Sequence, residues 1–127
     1  MKNIYGIVLV SHSESLANGL KQLLDEVAHD VVITTAGSTF DGRIGTSYEK
    51  IQEAVDNNPF SELLVFYDLG SAKMNIDVVL ETATKHLHVM NCAMVEGAYV
   101  AAAMLGGEQS LEAVMNELKP LMIKEEF

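Results

Sequence analysis

Two side chains that can together transfer a chemical group, those of His12 and Asp68, each lie just beyond an apolar run. His12 follows residues 4–10 after a single serine, and Asp68 directly follows residues 63–67. A neutral imidazole is nucleophilic through one nitrogen only while the other nitrogen carries the proton. A carboxylate that accepts a hydrogen bond from this N–H group holds the proton in place and stabilises the cation formed on attack. The pair therefore indicates nucleophilic transfer by histidine, provided that the fold brings the two residues together.

The residues around this pair favour an anionic group, above all a phosphoryl group. One helix is expected to begin after Ser13 and another near Ser71, and helix N-termini attract anions through free N–H groups and the helix dipole. Gly70 would let the backbone approach closely. Four hydroxyls are candidate donors: those of Ser11, Ser13, Thr46 and Ser71. Because such transfer works by positioning and charge stabilisation, we expect no metal in the site.

A purely structural interpretation of the same residues stays open at this point. A single histidine in a loop is most often a surface residue, and Asp68, with a glycine two positions later, also suits a turn or a helix cap. The spacing of the two residues does not decide between these interpretations. Their placement in the fold therefore matters more than their types.

Strand-like and helix-like segments alternate along the chain. Apolar, β-branched runs typical of buried strands occupy residues 4–10, 31–35 and 63–67, with a weaker run at 88–90. Helices are predicted between and after these runs, namely from residue 14 to 27, from 46 to about 57, from 72 to 83, from 95 to 105 and from about 110 to 118. This alternation predicts an α/β protein with a mainly parallel sheet.

The helix predictions depend on caps and on apolar spacing. Ser13 is a candidate N-cap of the first helix, and Thr46 with Glu49 fits a capping box for the second. In the first helix the residues at helical spacing are Leu16, Leu20, Leu23, Leu24 and Val27. In the third helix they are Ala72, Ile76, Val79, Leu80 and Ala83. We expect these residues to form the faces that pack on the sheet.

The predicted fold is a doubly wound, flavodoxin-like sheet with strand order 2-1-3-4 and helices on both faces, in a single domain of residues 1–127. Right-handed crossovers place the carboxyl ends of all strands at one edge, where such folds bind ligands. In this order strands one and three are neighbours. His12 and Asp68, 56 positions apart, would then meet at the ligand crevice.

Composition excludes several classes of function. The chain has 127 residues with a net charge of −10 and no cluster of basic residues, which argues against nucleic-acid binding. No apolar run reaches the roughly 18–20 residues that a membrane span requires. No signal peptide is recognisable, and a single cysteine, Cys92, rules out an internal disulfide framework, so we expect a cytoplasmic protein.

Other proteins with a similar predicted sheet fit less well. A response-regulator receiver needs clustered acidic residues after its first strand, where this chain has Ser11, His12 and Ser13. A flavodoxin needs aromatic residues to stack its flavin, and here aromatic residues are 6% of the chain and tryptophan is absent. The Gly-x-Ser-x-Gly motif of α/β-hydrolases is also absent. A non-catalytic interaction module remains an alternative.

Four further residues invite a functional interpretation. His86 and His88 would lie on one face of a strand and suggest a metal site, but the sequence shows no third ligand, and we interpret them as the start of the fourth strand. Cys92 is interpreted as a small core residue. Glu96 is placed near the carboxyl end of the fourth strand and could border the site.

Four short motifs together resemble a known family. They are residues 10–13 (Val-Ser-His-Ser), 44–46 (Ile-Gly-Thr), 68–72 (Asp-Leu-Gly-Ser-Ala) and 95–97 (Val-Glu-Gly). They resemble the phosphotransferase subunit of the phosphoenolpyruvate-dependent dihydroxyacetone kinase, in its single-domain form with the fold of mannose-type enzyme IIA domains. The resemblance covers nearly the whole chain, and the motifs occur in the family's order.

The resemblance implies a phosphoryl carrier of glycerol and dihydroxyacetone metabolism. His12 would accept a phosphoryl group from the phosphocarrier HPr and pass it to ADP bound on the nucleotide-binding subunit of the kinase, with no cofactor bound directly by this chain. Asp68 would orient His12, and Gly70, Ser71 and Ala72 would form the loop beneath the phosphoryl group. Family members are commonly homodimers, so a homodimer is expected here.

Departures from the sugar-transport relatives favour the kinase branch. Those relatives usually carry threonine and glycine beside the histidine, where this chain has Ser11 and Ser13. They also carry a longer loop with tryptophan and proline in place of the short segment 68–72. A mannose-type sugar-transport enzyme IIA therefore remains as the alternative within the same fold.

Overall fold

Four parallel strands form the sheet, in the order β2-β1-β3-β4. The computed structural model describes residues 2–124, so the two ends of the predicted domain, residue 1 and residues 125–127, lie outside the described residues. The strands are β1 (Tyr5–Ser11), β2 (Ile33–Gly37), β3 (Glu62–Tyr67) and β4 (His86–Met90). The predicted strand order and the predicted parallel sheet are confirmed.

Helices cover both faces of the sheet, as expected for a doubly wound fold. They are α1 (Glu14–Val27), α2 (Tyr48–Asn57), α3 (Ala72–Thr82), α4 (Met94–Gly106) and α5 (Leu111–Leu118), followed by a 3-10 turn at Lys119–Leu121. Helices α1, α4 and α5 share one apolar core with the sheet. Helices α2 and α3 share the other. None of the helices within residues 2–124 has the length and apolar character needed to cross a bilayer.

Strand β1 lies in the centre of the sheet because its side chains are apolar on both faces. Ile7 and Leu9 belong to the core under α1, α4 and α5, while Val8 and Val10 belong to the core under α2 and α3. All four side chains are fully buried. Burial of such a side chain contributes about 1.5–3 kcal/mol to stability. A slip of one residue would exchange the two faces, so this pattern fixes the register and, with it, the position of His12.

The packed face of α1 differs from the prediction. Leu20 and Leu24 are buried together with Ala17, but the three other predicted core residues are between 40% and 47% exposed: Leu16, Leu23 and Val27. Alanine allows the closest approach to the sheet, so the helix is turned toward Ala17 and the remaining apolar residues lie on its flank. Leu80 of α3 is likewise exposed, whereas Ile76 and Val79 are buried as predicted.

Two predicted boundaries are also wrong. Strand β2 begins at Ile33, two residues later than predicted, because its pairing with β1 runs from Ile7–Ile33 to Ser11–Gly37. Helix α2 has Ser47 and not Thr46 as its N-cap: the Ser47 hydroxyl accepts a hydrogen bond from the Lys50 N–H group. Hydroxyl residues at adjacent positions are equally good caps, so the sequence could not distinguish them.

Candidate functional site

The register of β1 against β3 brings His12 and Asp68 together at the carboxyl edge of the sheet. Val10 pairs with Tyr67, so the residues that follow these two positions lie side by side. His12 Nδ1 is 2.9 Å from Asp68 Oδ1. Both side chains are largely buried, with 18% and 13% of their surfaces exposed. The predicted proximity of the two residues is therefore confirmed, and it results from the predicted strand order.

Asp68 is held as an ionised carboxylate by its hydrogen bonds. Burial alone would raise the pKa of this carboxyl, but the donors around it outweigh the burial, and the pKa of Asp68 lies below its ordinary value. Oδ2 accepts hydrogen bonds from the His12 backbone N–H group at 2.9 Å and from the Ser11 hydroxyl at 2.8 Å. Oδ1 accepts from the Leu69 N–H group at 2.8 Å and faces His12 Nδ1.

The ionised carboxylate determines which nitrogen of His12 can react. A carboxylate only accepts hydrogen bonds, so Nδ1 of His12 must carry the proton in its contact with Asp68. Nε2 then keeps its lone pair, and the Ser71 hydroxyl, 2.8 Å away, donates to it. The reactive nitrogen thus faces the start of α3.

The start of α3 offers N–H groups to an anion at this position. Ser71 is the N-cap of α3 but makes no capping bond, because its hydroxyl is directed to His12. The backbone N–H groups of Gly70 and Ser71 have no acceptor among residues 2–124. Together with the helix dipole they form a site that stabilises negative charge beside Nε2.

The other predicted hydroxyl donors make hydrogen bonds within the protein, and their contact with a phosphoryl group stays a prediction. Ser11 is fully buried, and its hydroxyl both donates to Asp68 and accepts from the Ser13 N–H group at 3.0 Å. The Ser13 hydroxyl caps α1 by accepting from the Leu16 N–H group. The Thr46 hydroxyl accepts a hydrogen bond from Asn75 at 2.7 Å and so ties the loop before α2 to α3. Of the four predicted hydroxyls, only that of Ser71 contacts His12 within the described structure.

Two glycines and one alanine shape the backbone of the site. The Gly45 N–H group donates to the His12 carbonyl at 2.9 Å, and its φ of +141° is a conformation that glycine adopts readily. A Cβ on Gly37 would lie 2.5 Å from the Cα of Glu14, so only glycine lets the end of β2 approach the start of α1. Ala72, predicted beneath the phosphoryl group, is fully buried as the first residue of α3.

Lys124 is a residue of this edge that the sequence interpretation missed. Its ammonium group donates to the carbonyl of Tyr67, directly before Asp68, and to the carbonyl of Cys92 at 2.8 Å. It also lies 4.2 Å from the centroid of the Tyr67 ring. Burial lowers the pKa of Lys124, while the charge of Asp68 acts in the opposite direction. No spacing or motif indicates this contact, because the segment after Pro120 is far from Asp68 in sequence.

Exposed apolar side chains lie on the two segments that contact His12. Phe40 and Ile44 lie on the loop whose Gly45 bonds to His12, and Leu69 and Met74 lie beside Ser71. These four side chains are between 58% and 78% exposed. Large apolar residues concentrated on one side of a protein are typical of a surface that binds other proteins.

The remaining candidates lie elsewhere. His86 and His88 both belong to β4, and Glu62 of β3 contacts both of them. The sequence interpretation, which found no third ligand for this pair, is therefore wrong on that point. Glu96 lies in the first turn of α4, not at the end of β4, and is exposed. Cys92 is fully buried as predicted, and this burial raises the pKa of its thiol.

Comparison with known proteins identifies the class to which this fold and site belong. The model of the family EIIA-man, described as PTS system fructose IIA component, matches residues 6–115. The chain is 43% identical over 120 residues to the phosphotransferase subunit DhaM of the PTS-dependent dihydroxyacetone kinase of Lactococcus lactis subsp. lactis (strain IL1403), an alignment that covers 94% of this chain and 98% of that relative.

A second relative points in the same direction. The phosphoryl donor subunit DhaM of PEP-dependent dihydroxyacetone kinase 1 from Listeria innocua serovar 6a is 44% identical over 124 residues. This alignment covers 98% of this chain and 100% of the relative. The chain therefore belongs to the family of phosphotransferase, or phosphoryl donor, subunits of phosphoenolpyruvate-dependent dihydroxyacetone kinases.

Solved structures agree with the fold. A protein of unknown function, EF1359, superimposes with a TM-score of 0.83 at 28% identity over 100% of both chains. The phosphotransferase system component EIIA from Streptococcus agalactiae superimposes with a TM-score of 0.62 at 18% identity, over 90% of this chain and 88% of that one. The second likeness concerns the fold alone.

Proposed function

We propose that His12 carries a phosphoryl group on Nε2, taking it from the phosphocarrier HPr and passing it to ADP on the nucleotide-binding subunit of dihydroxyacetone kinase. The observation that carries this proposal is the fixed imidazole. Nδ1 is bound to an ionised carboxylate, and Nε2 points at the uncapped start of α3. The family relationship supplies the kinase as the destination of the phosphoryl group.

The two transfer steps follow from this geometry. In the first step the Nε2 lone pair attacks phosphorus, a P–N bond forms to His12, and the bond to the donor histidine breaks with its electron pair leaving on the donor nitrogen. The proton stays on Nδ1, and Asp68 stabilises the positive charge of the phosphorylated ring. In the second step an oxygen of the ADP β-phosphate attacks phosphorus, and the electron pair of the P–N bond returns to Nε2.

The chain's own groups stabilise the moving phosphoryl group. The Ser71 hydroxyl, which bonds to Nε2 before phosphorylation, would turn to a phosphoryl oxygen, and the N–H groups of Gly70 and Ser71 would bind the others. All of these are fixed donors in a partly buried site, where such contacts are most effective. We expect this chain itself to contribute no metal ion and no bound cofactor to either step.

The exposed apolar surface around the site fits docking of protein partners. Phe40, Ile44, Leu69 and Met74 are exposed on the two segments that contact His12, and a carrier that delivers its group to other proteins requires a surface for docking. The net charge of −10 would add attraction toward basic partner surfaces. A homodimer and a cytoplasmic location, both expected from the sequence, stay predictions.

A mass measurement tests the carrier. The purified chain is incubated with phosphoenolpyruvate, enzyme I and HPr, and phosphorylation should add about 80 Da that acid treatment removes. The added mass should be absent without HPr and absent in His12→Ala. If the wild-type chain gains no mass, the carrier function is rejected and a non-catalytic interaction module remains.

The second transfer separates the kinase branch from sugar transport. The phosphorylated chain is mixed with the nucleotide-binding kinase subunit loaded with ADP, and the mass gain should disappear as ATP forms. A phosphorylated chain that is stable with this subunit but loses its group to a sugar-transport enzyme IIB component would favour the mannose-type alternative.

A further inference from the structure

A second group of ligand-type side chains lies at the opposite, amino end of the sheet. Glu62 is the first residue of β3 and pairs with His86, the first residue of β4. His88 is two positions further along β4, and therefore on the same face as His86. The ring of Tyr5, from β1, packs edge-on against the His88 ring. The three side chains are thus held by paired backbone and not by loops.

The ligand atoms of the three side chains converge on one point. Glu62 Oε1 lies 3.3 Å from His86 Nδ1 and 2.7 Å from His88 Nε2, and one ligand atom from each residue lies within 4.8 Å of the others. The two imidazole rings are tilted by 35° with their centroids 4.1 Å apart. Ligands bound to zinc at tetrahedral angles with bonds near 2 Å are about 3.3 Å from each other. The distance between Glu62 and His86 matches this spacing, whereas His88 is at hydrogen-bond distance from Glu62 and would move about 0.6 Å away on metal binding.

The same donor set can bind a metal ion in place of the hydrogen bonds that now join it. One carboxylate needs a single cation for an ion pair, whereas here two imidazoles from the same strand are directed to the same oxygen. Two histidines and one glutamate form a ligand set that zinc enzymes use, with a fourth position left for water. The side chain of His86 is 66% exposed, so solvent reaches that position.

We infer that Glu62, His86 and His88 bind one divalent transition-metal ion, with zinc as the best match, through two imidazole nitrogens and one carboxylate oxygen. Water fills the open coordination position. The site is separate from His12, because Glu62 and Asp68 lie at opposite ends of β3, about 20 Å apart at the rise of an extended strand. The metal would join β3 to β4 at the amino edge and stabilise the folded chain.

Metal titration of the untagged full-length protein, stripped with chelator, tests this site. Isothermal titration calorimetry with zinc chloride should give one equivalent bound per chain in the micromolar range or tighter. Cobalt(II) should give the intense visible absorption of tetrahedral coordination, and zinc should displace it. The thermal unfolding midpoint of the wild-type protein should rise by several degrees with saturating zinc.

Variants assign the binding to the three residues. Glu62→Gln, His86→Gln and His88→Gln should each weaken zinc affinity by at least about tenfold and abolish the cobalt spectrum. The matched controls are His29→Gln, an exposed histidine after α1, and His12→Gln, the histidine of the carboxyl edge. Both should bind zinc as the wild-type chain does. Because His86 is the most exposed ligand, His86→Gln remains informative even if His88→Gln does not fold.

Three results would overturn the inference. The first is a titration that does not saturate near one equivalent. The second is zinc affinity that is unchanged in His86→Gln and Glu62→Gln. The third is equal loss of binding in His29→Gln or His12→Gln, which would place the metal elsewhere. None of these results affects the phosphoryl carrier, because phosphorylation of His12 is measured separately by mass.

Discussion

The two ends of the sheet use the same residue types in different ways. At the carboxyl edge one carboxylate, Asp68, contacts one imidazole, His12, and also accepts three further hydrogen bonds. At the amino edge one carboxylate, Glu62, is shared by two imidazoles and is far more exposed. The pKa of both carboxyls is lowered, for Asp68 despite burial and for Glu62 mainly through its hydrogen bond to His88.

The difference lies in what surrounds each histidine. At the carboxyl edge the second ring nitrogen of His12 faces a helix start, which attracts an anion. At the amino edge strands begin, and the imidazole nitrogens of His86 and His88 converge on a Glu62 oxygen, which favours a cation. A histidine and a carboxylate therefore do not define a function until the neighbouring backbone is known.

The largest effect is expected from His12→Gln, which should remove phosphoryl acceptance completely, because an amide is not a nucleophile at this position. Folding should be retained, since glutamine is polar and close to histidine in size. Mass spectrometry after incubation with phosphoenolpyruvate, enzyme I and HPr measures the first result, and circular dichroism the second. His88→Gln, at the other edge, should still be phosphorylated at the wild-type rate. Loss of phosphorylation in both variants would mean that the two edges of the sheet do not differ in function.

Asp68→Ala should slow phosphorylation of His12 by roughly tens- to thousands-fold, because the ring loses the group that fixes its tautomer and orientation. Rapid-quench sampling followed by mass analysis gives the rate. Glu62→Ala is the matched control, because it also removes a carboxylate that contacts a histidine. Its His12 should be phosphorylated at the wild-type rate. A rate for Asp68→Ala within twofold of the wild type would remove Asp68 from the mechanism.

Ser71→Ala is expected to slow phosphorylation by roughly ten- to a hundredfold, since one of the donors to the phosphoryl oxygens is lost while the backbone N–H groups remain. The control is Ser61→Ala, an exposed serine just before β3 that is remote from His12. The same rapid-quench measurement applies. Equal rates in Ser71→Ala and the wild type would mean that the hydroxyl only fills space beside Nε2.

The smallest effect concerns stability in acid. Because the pKa of Asp68 is lower in the folded chain than its unfolded value near 3.9, its ionised form stabilises folding above that pH, and the contribution is lost as the pH falls through the folded value. The difference in unfolding free energy between the wild type and Asp68→Asn should be constant from about pH 5 to 7 and shrink on further acidification. Urea unfolding across this range measures the difference.

Glu62→Gln provides the comparison for that experiment. The ionised form of Glu62 also stabilises folding, because the pKa of Glu62 is likewise lowered. Glu62 is more exposed than Asp68, so its contribution to the unfolding free energy should be small and should disappear at high salt. For Asp68, which is enclosed, salt should matter much less. A stability difference for Asp68→Asn that grows on acidification would contradict the ionised carboxylate on which the site depends.

Much of the fold and part of the site could be predicted from local patterns. The run of apolar residues at 4–10 indicates a central strand because no polar side chain interrupts it, and the strand order places His12 beside Asp68. The exposure of Leu16, Leu23 and Val27 could not be predicted, because spacing identifies an apolar face but not how closely each part of it approaches the sheet.

Contacts between distant segments could not be predicted from the sequence. Lys124 reaches the carbonyl before Asp68 from the far end of the chain, and no local pattern links the two. Glu62 precedes His86 by more than twenty residues, so it became a third ligand for the histidine pair only when β3 and β4 aligned. Ser11 and Ser13 were predicted as phosphoryl donors: the Ser11 O–H donates to Asp68, whereas the Ser13 hydroxyl accepts in the cap of α1 and keeps its proton, so its contact with a phosphoryl group stays a prediction.

The sequence by itself determined which segments become strands and helices, and it placed a histidine and an aspartate after two strands, because side-chain periodicity and turn residues act over a few positions. The tertiary structure alone decided which nitrogen of His12 is free, which hydroxyl faces it and which carboxylate joins His86 and His88. These features depend on register and on distances of a few ångströms between strands, and only the packing of the whole sheet fixes them.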